Sequence, residues 1–97
     1  MNAFYHKLDD NEIRTNMKQL SDWEYKEGSI SRIFNFSSYN ETIEFVNRVA
    51  EIANAINHHP DMNVSFKSCT VIYTTHAVEG LSALDFISAA RLDSLNN

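Results

Sequence analysis

Cysteine, proline and glycine are scarce in this chain: of 97 residues, one is Cys, one is Pro and two are Gly. A lone Cys69 excludes an intramolecular disulfide and any C-x-x-C zinc or redox site. It reads instead as a small buried apolar residue. So little Gly and Pro excludes collagen-like and low-complexity classes. No apolar run approaches the ~18 residues of a membrane-spanning helix. Positive charge is also in short supply, with 8 Lys and Arg against 13 Asp and Glu, a net charge of -5 and a pI near 5.2. No basic stripe is available to neutralise nucleic-acid phosphates or an anionic membrane surface, so neither is expected as a partner. Met1 to Lys7 lacks a signal-peptide pattern, which makes a cytoplasmic location the expectation.

What is present fits an ordinary globular chain: 43% hydrophobic and 22% charged residues. The length suits a single domain over residues 1–97. A domain this small buries only ~60–65% of its unfolded surface, so self-association would add useful stability.

Local patterns predict the order α-β-β-α-β-β-α. Asp9 or Asp10 can cap a first helix, Glu12 suits its positive end, and Ile13, Met17 and Leu20 share one face. Trp23 and Tyr25 alternate in a short strand, and Glu27-Gly28 turns the chain. Ile30, Arg32, Phe34 and Phe36 then line one side of a second strand, with Ile33 on the other. Ser38-Tyr39-Asn40-Glu41 is a capping box that opens a long helix with Ile43, Val46, Val49, Ala50, Ala53 and Ile56 as its apolar stripe. Pro60 ends that helix around Asn57-His58-His59. Met62, Val64 and Phe66 alternate in a third strand, Lys67-Ser68 turns, and Cys69 to Thr75 form a β-branched fourth strand ending at His76. After Gly80, the capping box Ser82-Ala83-Leu84-Asp85 opens a last helix that offers Phe86, Ile87, Ala90 and Leu95 to the core. The aromatic residues, Tyr25 and Phe66 among them, are expected in the core by default.

Such an order predicts an α+β fold of two layers, a four-stranded antiparallel sheet with helices packed on one face. The other face, carrying Ile33 and Ile72, is exposed or used in a homo-oligomer.

Three histidines fall at element ends, His58 and His59 after the long helix and His76 after the last strand. Ends and loops are where side chains converge on a ligand. Imidazole titrates near pH ~6.5 and so can give or take a proton at neutral pH. Each also has a structural reading: His58 at a helix C-terminus, His59 in a solvated loop, His76 capping a strand. Three histidines suit zinc, but adjacent ones lack the i, i+4 spacing of a zinc helix and only Asp61 lies nearby, so no metal is expected. Asp85 reads as a capping acid.

Taken together, His58-His59-Pro60, Phe66, His76 and Asp85 at their spacings resemble the signature of the pterin-4a-carbinolamine dehydratases. Trp23, Ile33-Phe34-Asn35-Phe36, Phe45, Val49-Ala50, Thr74-Thr75-His76 and Gly80-Leu81 extend the similarity to nearly the whole chain. The resemblance implies the same sheet-and-helix fold, assembled as a homodimer or homotetramer. It implies dehydration of 4a-hydroxytetrahydropterin to quinonoid dihydropterin, recycling the cofactor of an aromatic amino-acid hydroxylase, with no metal and no bound cofactor. It casts His58, His59 and His76 as an acid–base set, with His59 foremost, and Asp85 as the acid that builds or orients the site. His58, His59, Pro60, Met62, Thr75 and His76 are its expected pterin contacts. Two positions depart from the pattern: Asn54 stands where an ionisable residue is usual, four positions before His58, and Met62 stands where animal members often carry a large aromatic. Asn can orient a neighbour by hydrogen bonding but supplies no charge. The resemblance also leaves a non-catalytic alternative, a pterin-binding module or a protein-assembly and dimerisation cofactor on the same fold.

Overall fold

The structure is a computed structural model describing residues 5–95. Met1 to Phe4, part of the stretch read for a leader, lie outside these residues, as do Asn96 and Asn97.

Helix α1 spans Asp10–Met17, strand β1 Glu24–Lys26, β2 Ser29–Asn35, helix α2 Tyr39–Ile56, β3 Asp61–Val64, β4 Ser68–Tyr73 and helix α3 Ala83–Ser94, with a 3-10 turn at His76–Val78. The sheet is antiparallel throughout, in the order β1-β2-β4-β3. This is the expected α+β architecture.

Short-range chemistry sets most boundaries. Asp9 caps α1 in a full capping box, its carboxylate accepting from Glu12 N–H while Glu12 accepts from Asp9 N–H. Glu27 and Gly28 both adopt positive φ, at 48° and 81°, and close the β1–β2 hairpin in two residues. That geometry matches the strand twist, and Gly adopts it without a Cβ penalty. Asn57 ends α2 in the left-handed region, and His58 N–H closes back on the Ala53 carbonyl at 3.1 Å.

The capping box expected at α2 is only half formed. Ser38 Oγ accepts from Glu41 N–H, but the Glu41 carboxylate takes the N–H of Ser37 rather than that of Ser38.

The core lies between one sheet face and the helices. Ile30, Phe34, Cys69, Val71 and Tyr73 face Phe45, Val49, Phe86, Ala89 and Leu92, with Ile13 and Trp23 at its side. Cys69 is buried and free, and burial pushes its thiol pKa up, which keeps it inert. On α2 the buried stripe is Thr42, Phe45, Val49 and Ala53, so Ala50 faces solvent instead of the core. The Phe34–Phe45 contact, with centroids 4.5 Å apart, sets that rotation. On α3, Ala89 and Leu92 occupy the core where Ile87 and Ala90 were expected, and the latter two are exposed. Asp85 at the helix start, turned inward, determines that face.

Two aromatics also leave the core. Tyr25 shares a face with Ile30 but sits on the edge strand, with no neighbour beyond it, and is exposed. Phe66 does not continue β3. Ser65 N–H closes on the Ser68 carbonyl at 2.8 Å, which centres the turn on Phe66-Lys67, one residue earlier than expected, and leaves Phe66 exposed beside Tyr39. Strand β4 stops at Tyr73, so His76 opens the 3-10 turn rather than ending a strand.

Phe34, 2% exposed, touches Trp23, Phe45 and the Arg32 guanidinium. Phe34→Ala should lower unfolding stability by about 3–5 kcal/mol, measured by urea denaturation. A loss below about 1 kcal/mol would show that the aromatic cluster can collapse around the gap.

Candidate active site

Three chain segments meet at the end of the sheet where β4 runs out. The left-handed turn at Asn57 takes His58 and His59 off the helix axis of α2. The chain after β4 returns on itself through a Thr75–Gly80 bridge, with Thr75 N–H to the Gly80 carbonyl at 2.8 Å. Helix α3 then starts at Ala83, capped by Ser82.

Asp85 joins the three. It is fully buried, and its Oδ1 lies 2.6 Å from His58 Nε2. Its Oδ2 accepts from Thr75 Oγ1 at 2.8 Å and from Ser82 N–H at 3.0 Å. The Thr75 and Ser82 hydroxyls lie 2.7 Å apart, and Ser82 Oγ accepts from Leu84 N–H. The carboxylate thus closes the expected capping box and reaches out of it at the same time. An ionised carboxylate here also gains from the positive end of α3.

With Asp85 ionised, His58 Nε2 carries the hydrogen and Nδ1 has the free lone pair. His59 Nε2 lies 2.9 Å from Asn54 Oδ1, which as a carbonyl oxygen accepts. Among the described residues neither Nδ1 has a hydrogen-bond partner. Both imidazoles are therefore anchored at one nitrogen and open at the other, one by a buried charge and the other by a neutral amide. The His58 side chain is 10% exposed, while His59 lies at the surface.

Of the other residues picked out in the sequence, Thr75 is buried against Asp85. His76 follows it in the chain and is exposed, with no hydrogen bond to the pair among the described residues. Pro60 is half-buried, and Met62 packs at the core margin, paired with Val71 across β3 and β4. Three residues were not anticipated as neighbours of this cluster. Ser82 read only as a cap. Tyr73, the end of β4, stacks on His58 with centroids 5.8 Å apart and planes 15° apart. Tyr73 and Ser88 are buried with hydroxyls that make no hydrogen bond among the described residues. The only available signal for Tyr73 is its strand phase, shared with Val71 and Cys69, which aims it at the core.

Burial pushes the Tyr73 phenol up to about 12, the Asp85 charge adds to the rise, and the nearby Ser88 hydroxyl opposes it without reaching hydrogen-bond geometry.

The fold and this cluster define a class, small α+β proteins with a histidine–carboxylate site at the sheet end. Comparison with known proteins narrows it. The sequence profile of the family described as Pterin 4 alpha carbinolamine dehydratase matches residues 6–95. A provisionally named pterin-4-alpha-carbinolamine dehydratase of Nitrosospira multiformis is 47% identical over 88 residues, covering 91% of this chain and 78% of that protein. One of the same provisional name from Legionella pneumophila is 44% identical over 91 residues, covering 91% and 80%. Among solved structures, a transcriptional coactivator/pterin dehydratase from Brucella melitensis superposes with a TM-score of 0.91 over 95% of this chain and 100% of that one, at 22% identity. A pterin dehydratase-like protein described as a RuBisCO assembly factor in the alpha-carboxysome shares the fold at a TM-score of 0.63, covering 75% and 84% at 22% identity. The chain belongs to the pterin-4a-carbinolamine dehydratase family.

Two outcomes follow from the geometry. Asp85→Asn removes the charge that three donors share and should cost about 1.5–3 kcal/mol in urea unfolding. The raised phenol pKa means that the fold favours neutral Tyr73. Its contribution is complete below the ordinary value near ~10 and is lost as pH rises through about 12. Stability of the native chain should therefore fall between those values more steeply than that of Tyr73→Phe. Parallel alkaline curves would remove Tyr73 as the source.

Proposed function

We propose that the chain dehydrates 4a-hydroxytetrahydropterin to quinonoid dihydropterin and water. The observation that carries this reading is the His58–Asp85 pair beside the His59–Asn54 pair, within a chain of this family. In the reaction the C4a–O bond breaks and the hydroxyl leaves as water after accepting a proton. N5 loses its hydrogen, and the C4a=N5 double bond forms. One proton is delivered and one removed, so none is consumed.

Imidazoles suit both transfers, because a group titrating near the working pH can serve as acid and as base. His58, His59 and His76 form the acid–base set. An open Nδ1 on His58 can take a proton, and the imidazolium so formed is held by Asp85 at Nε2. The logic is that of a base oriented by a buried carboxylate. His59 acts from the exposed side, with Asn54 keeping its ring in place. Thr75 orients Asp85 from its buried position, and Pro60 and Met62 contribute to the pterin-binding surface. No step requires a metal or a resident cofactor. Because the substrate arises when tetrahydropterin serves an aromatic amino-acid hydroxylase, we place the chain downstream of such an enzyme.

A homodimer or homotetramer accompanies this reading. Its support is the open sheet face, where Ile33 is 60% exposed and Ile72 is half-buried. A second reading, a non-catalytic pterin-binding or assembly role, draws on neutral Asn54 and on the fold shared with the assembly factor.

The test follows dehydration of freshly generated 4a-carbinolamine by ultraviolet absorbance. The native chain should exceed the buffer rate, and His59→Ala should lose about 10²-fold or more, as expected for a lost acid–base group. A native rate equal to buffer would overturn the enzymatic reading and favour the second.

A further inference from the structure

We propose that Tyr73 is a positioning residue for His58: its ring is the flat wall that sets the imidazole plane while Asp85 holds one edge. The inference rests on His58 being part of the proposed site.

One hydrogen bond, His58 Nε2 to Asp85 Oδ1 at 2.6 Å, fixes a single point of the ring. It leaves the imidazole free to swing about the N···O axis, and that swing decides where Nδ1 is aimed. The backbone is fixed where His58 N–H closes on the Ala53 carbonyl at 3.1 Å, but that bond does not set the side-chain torsions that turn the ring. The parallel Tyr73 ring, 15° from the imidazole plane at 5.8 Å, opposes the swing.

Tyr73 can act as a wall because it is itself immobile. It is fully buried and pairs with Ile30 at the end of β4. Trp23 packs against it at 6.1 Å and is pinned by its Nε1–H to Asp93 Oδ1 at 2.8 Å. A continuous line of contacts thus runs Asp93, Trp23, Tyr73, His58, Asp85, beginning and ending on α3. The Tyr73 hydroxyl makes no hydrogen bond among the described residues, so the ring and not the hydroxyl is the working part. A shift of an ångström at a reacting group is enough to cost one to two orders of magnitude in rate.

The experiment compares Tyr73→Leu, Tyr73→Phe and Val49→Ala in the full chain. Val49 is a buried α2 residue outside the cluster, and its truncation reports general loosening of the core. Two readouts are taken: kcat and KM for carbinolamine dehydration, and the ¹³C–¹H relaxation signal of the His58 ring, which distinguishes a fixed ring plane from an averaged one. Tyr73→Leu should lower kcat about tenfold with KM within about twofold, and should average the His58 signal. Tyr73→Phe should restore both to native, without loss of melting temperature. Val49→Ala should melt earlier yet keep the native His58 signal.

The proposal is overturned if Tyr73→Leu keeps native kcat and a native His58 signal. It is equally overturned if Tyr73→Phe falls as far as Tyr73→Leu, or if Val49→Ala averages the His58 signal to the same degree. Should the native chain fail to accelerate dehydration, the enzymatic reading falls by itself, and the His58 signal alone still decides whether Tyr73 positions the ring.

Discussion

A carboxylate with no exposure to water is tolerated in a folded chain only where its oxygens are hydrogen-bonded. Asp85 meets that condition with donors from three segments: His58 after α2, Thr75 after β4 and the Ser82 backbone at the start of α3. Oδ1 depends on His58 alone, whereas Oδ2 is shared by Thr75 and Ser82. The histidine turn, the return loop after the sheet and the start of the last helix are therefore held as one unit. A charge buried at this junction fixes the relative position of its neighbours more sharply than apolar contact can, since a hydrogen bond tolerates little displacement in distance or angle.

The other end of α3 carries a second acid with an analogous duty. Asp93 Oδ1 accepts from Arg32 at 2.6 Å and from Trp23 Nε1 at 2.8 Å, while the Arg32 guanidinium lies over Phe34. Helix α3 is thus clamped to the sheet by a carboxylate near each end, with Phe86, Ala89 and Leu92 filling the space between. The two clamps also explain why its buried face departs from the stripe that apolar residues alone suggest. Ile87 and Ala90 lose the core because Asp85 and Asp93 must both face inward.

The two adjacent histidines are not equivalent. His58 faces a buried negative charge and a flat aromatic wall; His59 faces a neutral amide at the surface. Asn54 performs the orienting task that the sequence allowed it and leaves no carboxylate beside His59. This asymmetry separates an imidazole held inside the fold by Asp85 from one held at the surface by Asn54. The open sheet face, which carries Ile33 and Ile72, shares no residue with the histidine cluster.

Sequence by itself determined the features that act over three or four residues. A cap at Asp9 or Asp10, the Ser82–Asp85 box, the Glu27-Gly28 turn and the helix end before Pro60 were all legible, because each depends on groups that are neighbours in the chain. The strand phases of β2 and β4, and with them the fold class, were legible for the same reason, and the spacing of His58, His59, His76 and Asp85 carried the family. Tertiary structure decided the rest. That Asp85 reaches a histidine 27 residues away, that Tyr73 lies parallel to and offset from that histidine, and that Phe66 is left in the open all follow from the β1-β2-β4-β3 order and from one early turn at Ser65. A capping acid satisfied within its own turn looks the same in sequence as one that also reaches across the fold. The second oxygen of Asp85 finds its partner only when α2 and β4 have packed.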